Sequence, residues 1–375
     1  MRIAVITESF LPTVNGVTNS VCRILRHFSE RGHQAVVVAP GAAPASYAGH
    51  PVVGVGGVSL PGYRSFVLGL PTVRLDGLLR DFRPDVVHLA SPFAIGAAGA
   101  AAARRLGVPC VAVFQTDVAG FLRRYGFRGT DRAVWAWLRR IHGQADRTLV
   151  PSTATFGQLR ERGLPRLAMW RRGVDSERFH PRHRDGELRA RLAGPDAVLV
   201  GYVGRLSRDK RVHLLAGLAD LPGIRLVIVG DGPAADRLRT RLPGAEFLGL
   251  RQGQALSTIY ASLDVFVHTG ADETFCQALQ EAMASGVPVV APAAGGPLDL
   301  VEHGRTGLLY PPDSMTELRD GVHRLVADPG LRARYGWGGR AAVRGRTWTV
   351  IGDQLLEHYT GVLRGELPHG SRAIA

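Results

Sequence analysis

The chain has almost no lysine: of its 46 basic residues, 45 are arginine, and the single lysine is Lys210. Cysteine is scarce as well. Cys22, Cys110 and Cys276 are odd in number and scattered, without metal-ligand spacing. They exclude a disulfide framework and suit the reduced thiols of a cytosolic protein. No long hydrophobic run exists. The longest stretch of small apolar residues, 94–103, stops at Arg104 and is far too short to cross a bilayer. The opening MRIAVITESF is apolar only over residues 3–6 before Glu8 arrives, so it reads as a first strand and not as a signal peptide. Zinc-ligand spacing and an aromatic RNA-binding motif are both missing, which argues against a nucleic-acid partner.

What is present fits two domains. A chain of 375 residues with 45% hydrophobic side chains can bury two full cores. The net charge of +14 is unevenly spread: residues 1–190 hold 26 arginines against 13 acids, and residues 191–375 hold 20 basic against 19 acidic residues. An anionic membrane surface, nucleic acid, a phosphorylated acceptor or an arginine-rich genome could each account for the basic half.

β-Branched runs alternate with Ala/Leu/Arg-rich stretches, the signature of parallel sheets wound with helices. The first half places strands at residues 3–7, 35–39, 86–89, 111–114 and 147–150. The second places them at 198–203, 225–229, 245–248, 265–268 and 287–290. This gives an α/β chain with a domain over 1–170, a polar linker over 171–195, a second domain over 196–347 and a final helix and tail over 348–375. Doubly wound sheets bind ligands beyond the carboxyl ends of their strands.

Candidate site residues cluster at those ends. Asn15 and Gly16 stand where the first strand's loop opens a helix, whose free amides and dipole suit a phosphate. VGDGP, with Gly230 and Gly232, is a degenerate dinucleotide fingerprint. The strand after it ends in Leu250 and Arg251 instead of a ribose-holding acid, which argues against a dehydrogenase. In GRLSRDK, Arg205 and Lys210 follow a strand, and two fixed cations there can neutralise a diphosphate. That the only lysine of an arginine-saturated chain falls here suggests that an ammonium is needed. In HTGADETFCQALQEAMASG a strand leads to Glu273 in a loop, then to a helix expected over 274–285 that carries Glu281. Eight helical steps separate two residues by about 80° and about 12 Å, so the two carboxylates act at separate points. Each can accept hydrogen bonds from sugar hydroxyls. The amides of Phe275, Cys276 and Gln277 at the helix start suit a phosphate, and Gly295 and Gly296 allow a close backbone approach.

Glu273-x7-Glu281 with AMASGVPVVAPAAGG and GRTGLLY resembles family 4 of the retaining glycosyltransferases. FLPTVNGV, RRGVDSERFHP, GRLSRDK, VGDGP and FLG extend the resemblance over nearly the whole chain. It implies the GT-B fold: two Rossmann-like domains with the donor site in the cleft between them, and a last helix crossing back onto the first domain. It implies donor contacts from Gly16, Arg205, Lys210, Leu250, Glu273, Phe275, Cys276, Gln277 and Glu281. In that family Arg205 and Lys210 would grip the diphosphate, Glu273 the sugar and Glu281 the ribose. Many members carry histidine where this chain has Gln115, which hydrogen-bonds but cannot shuttle a proton. The departing phosphate would then take the acceptor's proton. Asp117 and Asn15 stand as acceptor-side groups. No Asp-x-Asp pair exists, so transfer would need no metal or other cofactor, and protein cations would do the electrostatic work.

FLPTVNGVTNSV and FQTD look closest to GDP-mannose-dependent mannosyltransferases that act on phosphatidylinositol mannosides or glycosylated diacylglycerol. These work at the cytoplasmic membrane face through a basic acceptor domain. The basic half agrees, as does FLRRYGFRGTDRAVWAWLRRIHG, where Val134, Trp137, Leu138 and Ile141 fall at helical spacing beside Arg139 and Arg140. Competing expectations are a UDP-sugar transferase, a hydrolysing nucleotide-sugar 2-epimerase, and a non-catalytic anion- or sugar-binding protein.

Overall fold

Runs such as RIAVIT, QAVVVAP and VVHLA are apolar on both faces, as strands covered by helices on both sides must be. In a computed structural model they form the middle of one sheet. The chain divides into two units, Met1–Arg171 with Trp348–Ala375, and Arg172–Thr347. The structure describes residues 1–60, 63–70, 75–117, 120 and 131–367, excepting the side chains of 58–60 and 63–68. The stretch 121–130 ahead of the arginine-rich helix, and the tail from Gly370, lie outside the described residues.

The first unit contains β1 (Arg2–Thr7), β2 (Gln34–Pro40), β3 (Ser46–Tyr47), β4 (His50–Val55), β5 (Gly57–Leu60), β6 (Tyr63–Gly69), β7 (Val86–Ala90), β8 (Cys110–Val113), β9 (Arg147–Val150) and β10 (Leu167–Met169). Its sheet runs β10-β9-β8-β7-β1-β2-β4-β3, parallel except for β3. β5 and β6 pair separately as an antiparallel hairpin. The winding direction reverses between β1 and β7, the point at which such sheets receive ligands. Glu8 fastens that point: its Oε1 accepts the amides of Phe93 (2.8 Å), Ala94 (2.6 Å) and Gly96 (2.9 Å) just beyond β7. The C-terminal helix Trp348–Leu363 packs on the helix Gly16–Glu30. There His27 Nε2 lies 2.9 Å from Asp353, and Trp170 Nε1 donates to Ile351 O at 2.9 Å. Gly352 is required at that crossing, because a Cβ would sit 2.4 Å from the His27 ring.

The helix Asp131–His142 corrects one expectation. Val134, Leu138 and Ile141 are buried in the unit's own core, so the apolar stripe is no membrane face. Only Trp137 remains 39% exposed, with its indole N–H donated to Phe93 O at 3.0 Å. Arg132, Arg139 and Arg140 share its exposed side.

The second unit contains β11 (Val198–Val203), β12 (Ile224–Val229), β13 (Glu246–Gly249), β14 (Val265–Val267), β15 (Val289–Pro292) and β16 (Leu308–Tyr310), all parallel, in the order β13-β12-β11-β14-β15-β16. This is the dinucleotide-fold winding, with its reversal between β11 and β14. The stretch 171–195, expected as a polar linker, differs. From Arg172 onward it belongs to this unit and carries the helix Gly186–Ala193, capped by the Asp185 carboxylate. Arg184 and Arg189 reach Asp264 at 2.7 and 2.9 Å, and the same carboxylate accepts the Leu199 amide. Charge anchors this helix where apolar periodicity is weak. No helix among the described residues is long and apolar enough to cross a membrane.

Candidate active site

β11 and β14 flank the reversal of the second sheet, and the loops leaving their carboxyl ends carry the residues singled out in the sequence. β11 is buried throughout and hands the chain to Gly204 and half-buried Arg205. Two residues after Arg205, Ser207 opens a single 3-10 turn, Arg208–Lys210. After β14 come His268, Thr269 and then Glu273, in a loop. The two loops meet. Lys210 Nζ lies 2.6 Å from Glu273 Oε1, with 28% and 16% of the two side chains exposed. The pair is therefore dry enough to be strong and open enough to meet a ligand.

Two further contacts hold the loops in register: Thr269 Oγ1 donates to Lys210 O at 2.6 Å, and Arg211 pairs with Asp272 at 3.2 Å. Burial opposes the charge on Glu273, but Lys210 and His268 outweigh it and hold its carboxyl down to about 2. Burial likewise opposes the Lys210 ammonium, and Glu273 reverses that, raising it above its ordinary value. Each charge supports the other, and both groups are ionised near neutral pH. Burial pulls Arg205 downward while Asp209 favours its charged form.

The glycines have a different use from the one expected. Gly230 and Gly232 have φ of +132° and +155°, and a Cβ would stand 1.9 Å from Gly204 O and 2.4 Å from Leu206 O. The VGDGP segment thus packs directly on the loop bearing Arg205, and Leu206 N donates to Asp231 O at 2.9 Å. Gly295 and Gly296 similarly press on the loop 273–275: Gly296 N donates to Glu273 O at 2.8 Å, and a Cβ on Gly296 would lie 2.6 Å from the Phe275 backbone. What approaches these glycines is the binding loop itself.

That crowding also shortens the next helix, which runs Gln277–Ala284 with Cys276 at its N-cap, not from 274 to 285. Phe275 and Cys276 are buried in the loop ahead of it. The Gln277 side chain donates to Gly173 O at 3.2 Å, leaving its backbone as the part that could face a ligand. Glu281 lies a turn further on and half-buried, as expected away from the helix start. Burial and then the Glu281 carboxylate push the Tyr260 phenol well above its ordinary range. Leu250, just past β13 on the same edge of the sheet, is 64% exposed.

Residues 14–178 match the family Glycosyltransferase Family 4, and residues 186–342 match Glycosyl transferases group 1. A GDP-mannose-dependent alpha-mannosyltransferase of Mycobacterium tuberculosis is 50% identical over 96% of this chain and 97% of its own length. The chain belongs to the family 4 glycosyltransferases. The sulfoquinovosyl transferase SQD2 of Arabidopsis thaliana is 37% identical over 96% of this chain and 74% of its own. Among solved structures, Anabaena HepE in complex with UDP-glucose aligns at a TM-score of 0.77 and 22% identity, covering 96% of this chain and all of that one. The fold is GT-B. As a family 4 glycosyltransferase the chain is a hexosyltransferase whose donor is a nucleotide sugar.

In the first unit, Asn15 caps the helix Gly16–Glu30: its Oδ1 accepts the Thr18 amide at 3.0 Å, and its Nδ2 donates to Ser9 Oγ at 2.7 Å. A Cβ on Gly16 would meet nothing within 4 Å. Neither strain nor packing explains that glycine, which leaves room for a ligand at the helix N-terminus. Gln115 is half-buried just past β8, and Asp117 Oδ1 accepts the Gly120 amide at 2.9 Å.

Sequence reasoning missed His268. It is 3% exposed, its Nε2 lies 3.2 Å from Glu273 Oε1 without hydrogen-bond alignment, and neither ring nitrogen has a hydrogen-bond partner. It also stands beside Cys276: ligand atoms of His268, Glu273 and Cys276 all lie within 4.8 Å of one another. Sequence spacing had not singled out this cluster. The spacing His-x4-Glu-x2-Cys was visible but matched no helix or hairpin repeat, and only the loop's path brings the three together.

Proposed function

We propose that this family 4 glycosyltransferase moves mannose from GDP-mannose to a lipid-linked acceptor, such as a phosphatidylinositol mannoside or a glycosyl-diacylglycerol, with retention of configuration. The observation that carries the reading is the Lys210–Glu273 pair, 2.6 Å apart at the reversal point of the second sheet, in a chain 50% identical to a named GDP-mannose-dependent enzyme. Arg205 and Lys210 neutralise the diphosphate, Glu273 accepts hydrogen bonds from the sugar and Glu281 from the ribose. Leu250 offers an apolar contact, and the amides from Phe275 to Gln277 and at Gly16 receive phosphate oxygens. The bond from the anomeric carbon to the diphosphate breaks, and a bond to the acceptor oxygen forms on the same face. The acceptor's proton passes to the leaving phosphate, because Gln115 has no titratable group to take it.

Charge developing on the leaving group meets ammonium and guanidinium already in place, so no metal is required. Thermal unfolding against GDP- and UDP-sugars, with and without EDTA, tests both points. A donor at 100 times its dissociation constant should stabilise by about 2.7 kcal/mol. The largest shift should come from GDP-mannose, and transfer should survive EDTA. Stabilisation by UDP-sugars alone would overturn the donor, and activity lost in EDTA and restored by manganese would overturn the metal-free scheme.

The acceptor's lipid calls for a membrane. The exposed face of the helix Asp131–His142, with Arg132, Trp137, Arg139 and Arg140, supports docking of the first unit on anionic lipid from the cytoplasmic side. Each basic residue near such a surface contributes about 1 kcal/mol within a Debye length of about 8 Å. Replacing Arg139 and Arg140 by serine should weaken co-sedimentation with anionic liposomes by roughly tenfold or more and leave donor stabilisation unchanged. Binding that is equal on neutral vesicles, or that ignores salt, would refute the docking.

A further inference from the structure

Cys276 and His268 are chemically costly residues for the inside of a loop that only needs to present Glu273. Both are buried, at 2% and 3% exposure. The Cys276 thiol is free; His268 Nδ1 has no hydrogen-bond partner, and its Nε2 has only the misaligned Glu273 carboxylate 3.2 Å away. A buried polar atom without a partner calls for an explanation, and one recognised explanation is an ion. Their third neighbour is the Glu273 carboxylate, with all three ligand atoms inside 4.8 Å of one another. Tetrahedral zinc binds imidazole nitrogen, thiolate sulfur and carboxylate oxygen at about 2.0–2.3 Å, so side-chain shifts of about an ångström close the set. A sulfur and an imidazole select zinc or a similar thiophilic ion over magnesium or calcium.

We propose that His268, Glu273 and Cys276 form a site for a thiophilic divalent cation, zinc foremost, whose occupancy switches transfer off. Binding forms bonds to His268 nitrogen, Cys276 sulfur and a Glu273 oxygen, and releases to solvent the thiol proton and any proton on the imidazole. The ion competes with Lys210 for Glu273, the same carboxylate that the donor sugar needs. This consequence rests on the donor-site reading given above; the ion site itself does not.

Two readouts keep the claims apart. Cobalt(II) titrated into the reduced full chain should give the visible absorption of a tetrahedral ion and a thiolate-to-cobalt charge-transfer band, both lost on adding zinc. Cys276→Ser should abolish the charge-transfer band, and Cys22→Ser should keep it. Absence of the bands in the wild type, or their survival in Cys276→Ser, overturns the site. If Cys276→Ser does not fold, alkylation of the wild type decides. Zinc should then protect one thiol, identified by mass spectrometry as Cys276; protection elsewhere or nowhere overturns the site.

In the transfer assay, zinc at ten times its dissociation constant should leave about a tenth of the metal-free rate, restored by EDTA. Cys276→Ser, compared with its own metal-free rate, should ignore zinc. Full activity with the ion bound overturns the switch. A chain that transfers from no donor defeats the donor reading, and the cobalt spectrum still decides the ion site.

Discussion

Lys210→Ala should lose roughly 10²–10³ in turnover while the protein stays folded. The backbone of Lys210 is held by Thr269 and Ser207, neither of which touches its side chain, so removing the ammonium leaves the turn in place. What changes is the field. The leaving diphosphate loses a fixed cation, and Glu273 loses the partner 2.6 Å away that does most to keep its carboxyl down at about 2. The sign of the pH effect follows. In the wild type Glu273 is ionised at every ordinary assay pH. In the variant burial is less opposed, so its carboxyl rises, and the acid limb of the pH–rate profile should move upward. A purely structural role for Lys210 would not move that limb. Lys210→Arg should also be impaired, because a planar fork does not replace a compact ammonium. Near-normal rates in both variants, or an unmoved acid limb in Lys210→Ala, would remove the argument built on the lone lysine.

The sheets were legible because parallel strands covered on both faces must be continuous apolar runs. All ten expected strands are present, from Arg2–Thr7 to Val289–Pro292. Those missed are mostly short or edge pieces such as Leu167–Met169 and Leu308–Tyr310, three residues each, too short to show a period. The helix Gly186–Ala193 escaped notice because no residue of it is fully buried, and its anchor, Asp264, lies far off in sequence. Arg205, Lys210 and Glu273 could be placed from the sequence because each follows a recognisable strand, and Glu281 because it lies within a recognisable helix. Their mutual arrangement could not, since it depends on two loops meeting across the reversal of the sheet. The glycines were recognised as places of close approach, but sequence shows that backbone must come close, not what it comes close to.

That last distinction gives the largest expected effect on stability. Gly230→Ala combines two penalties. Its φ of +132° is one that side-chain-bearing residues rarely adopt, and the new Cβ would stand 1.9 Å from Gly204 O. Gly204 cannot yield easily, because its N–H donates to Val229 O at 3.0 Å while Gly230 N donates to Gly249 O at 2.9 Å. Relieving the clash means breaking the ends of β11, β12 and β13 together. Strain of this kind and a backbone overlap should cost roughly 3–5 kcal/mol, a large part of a domain's stability, and should displace the loop that carries Arg205. Gly16→Ala is the counterpart. Its Cβ would meet nothing within 4 Å and its φ is ordinary, so the melting temperature should hold or rise slightly. If the space beside Gly16 belongs to the donor, that same variant should bind GDP-mannose poorly. Thermal unfolding of both variants, with and without donor, separates a glycine that packs the protein from one that admits the ligand. A Gly230→Ala protein as stable as wild type would mean the VGDGP loop is not pressed on Gly204, and a Gly16→Ala protein with normal donor binding would free that helix N-terminus from the donor site.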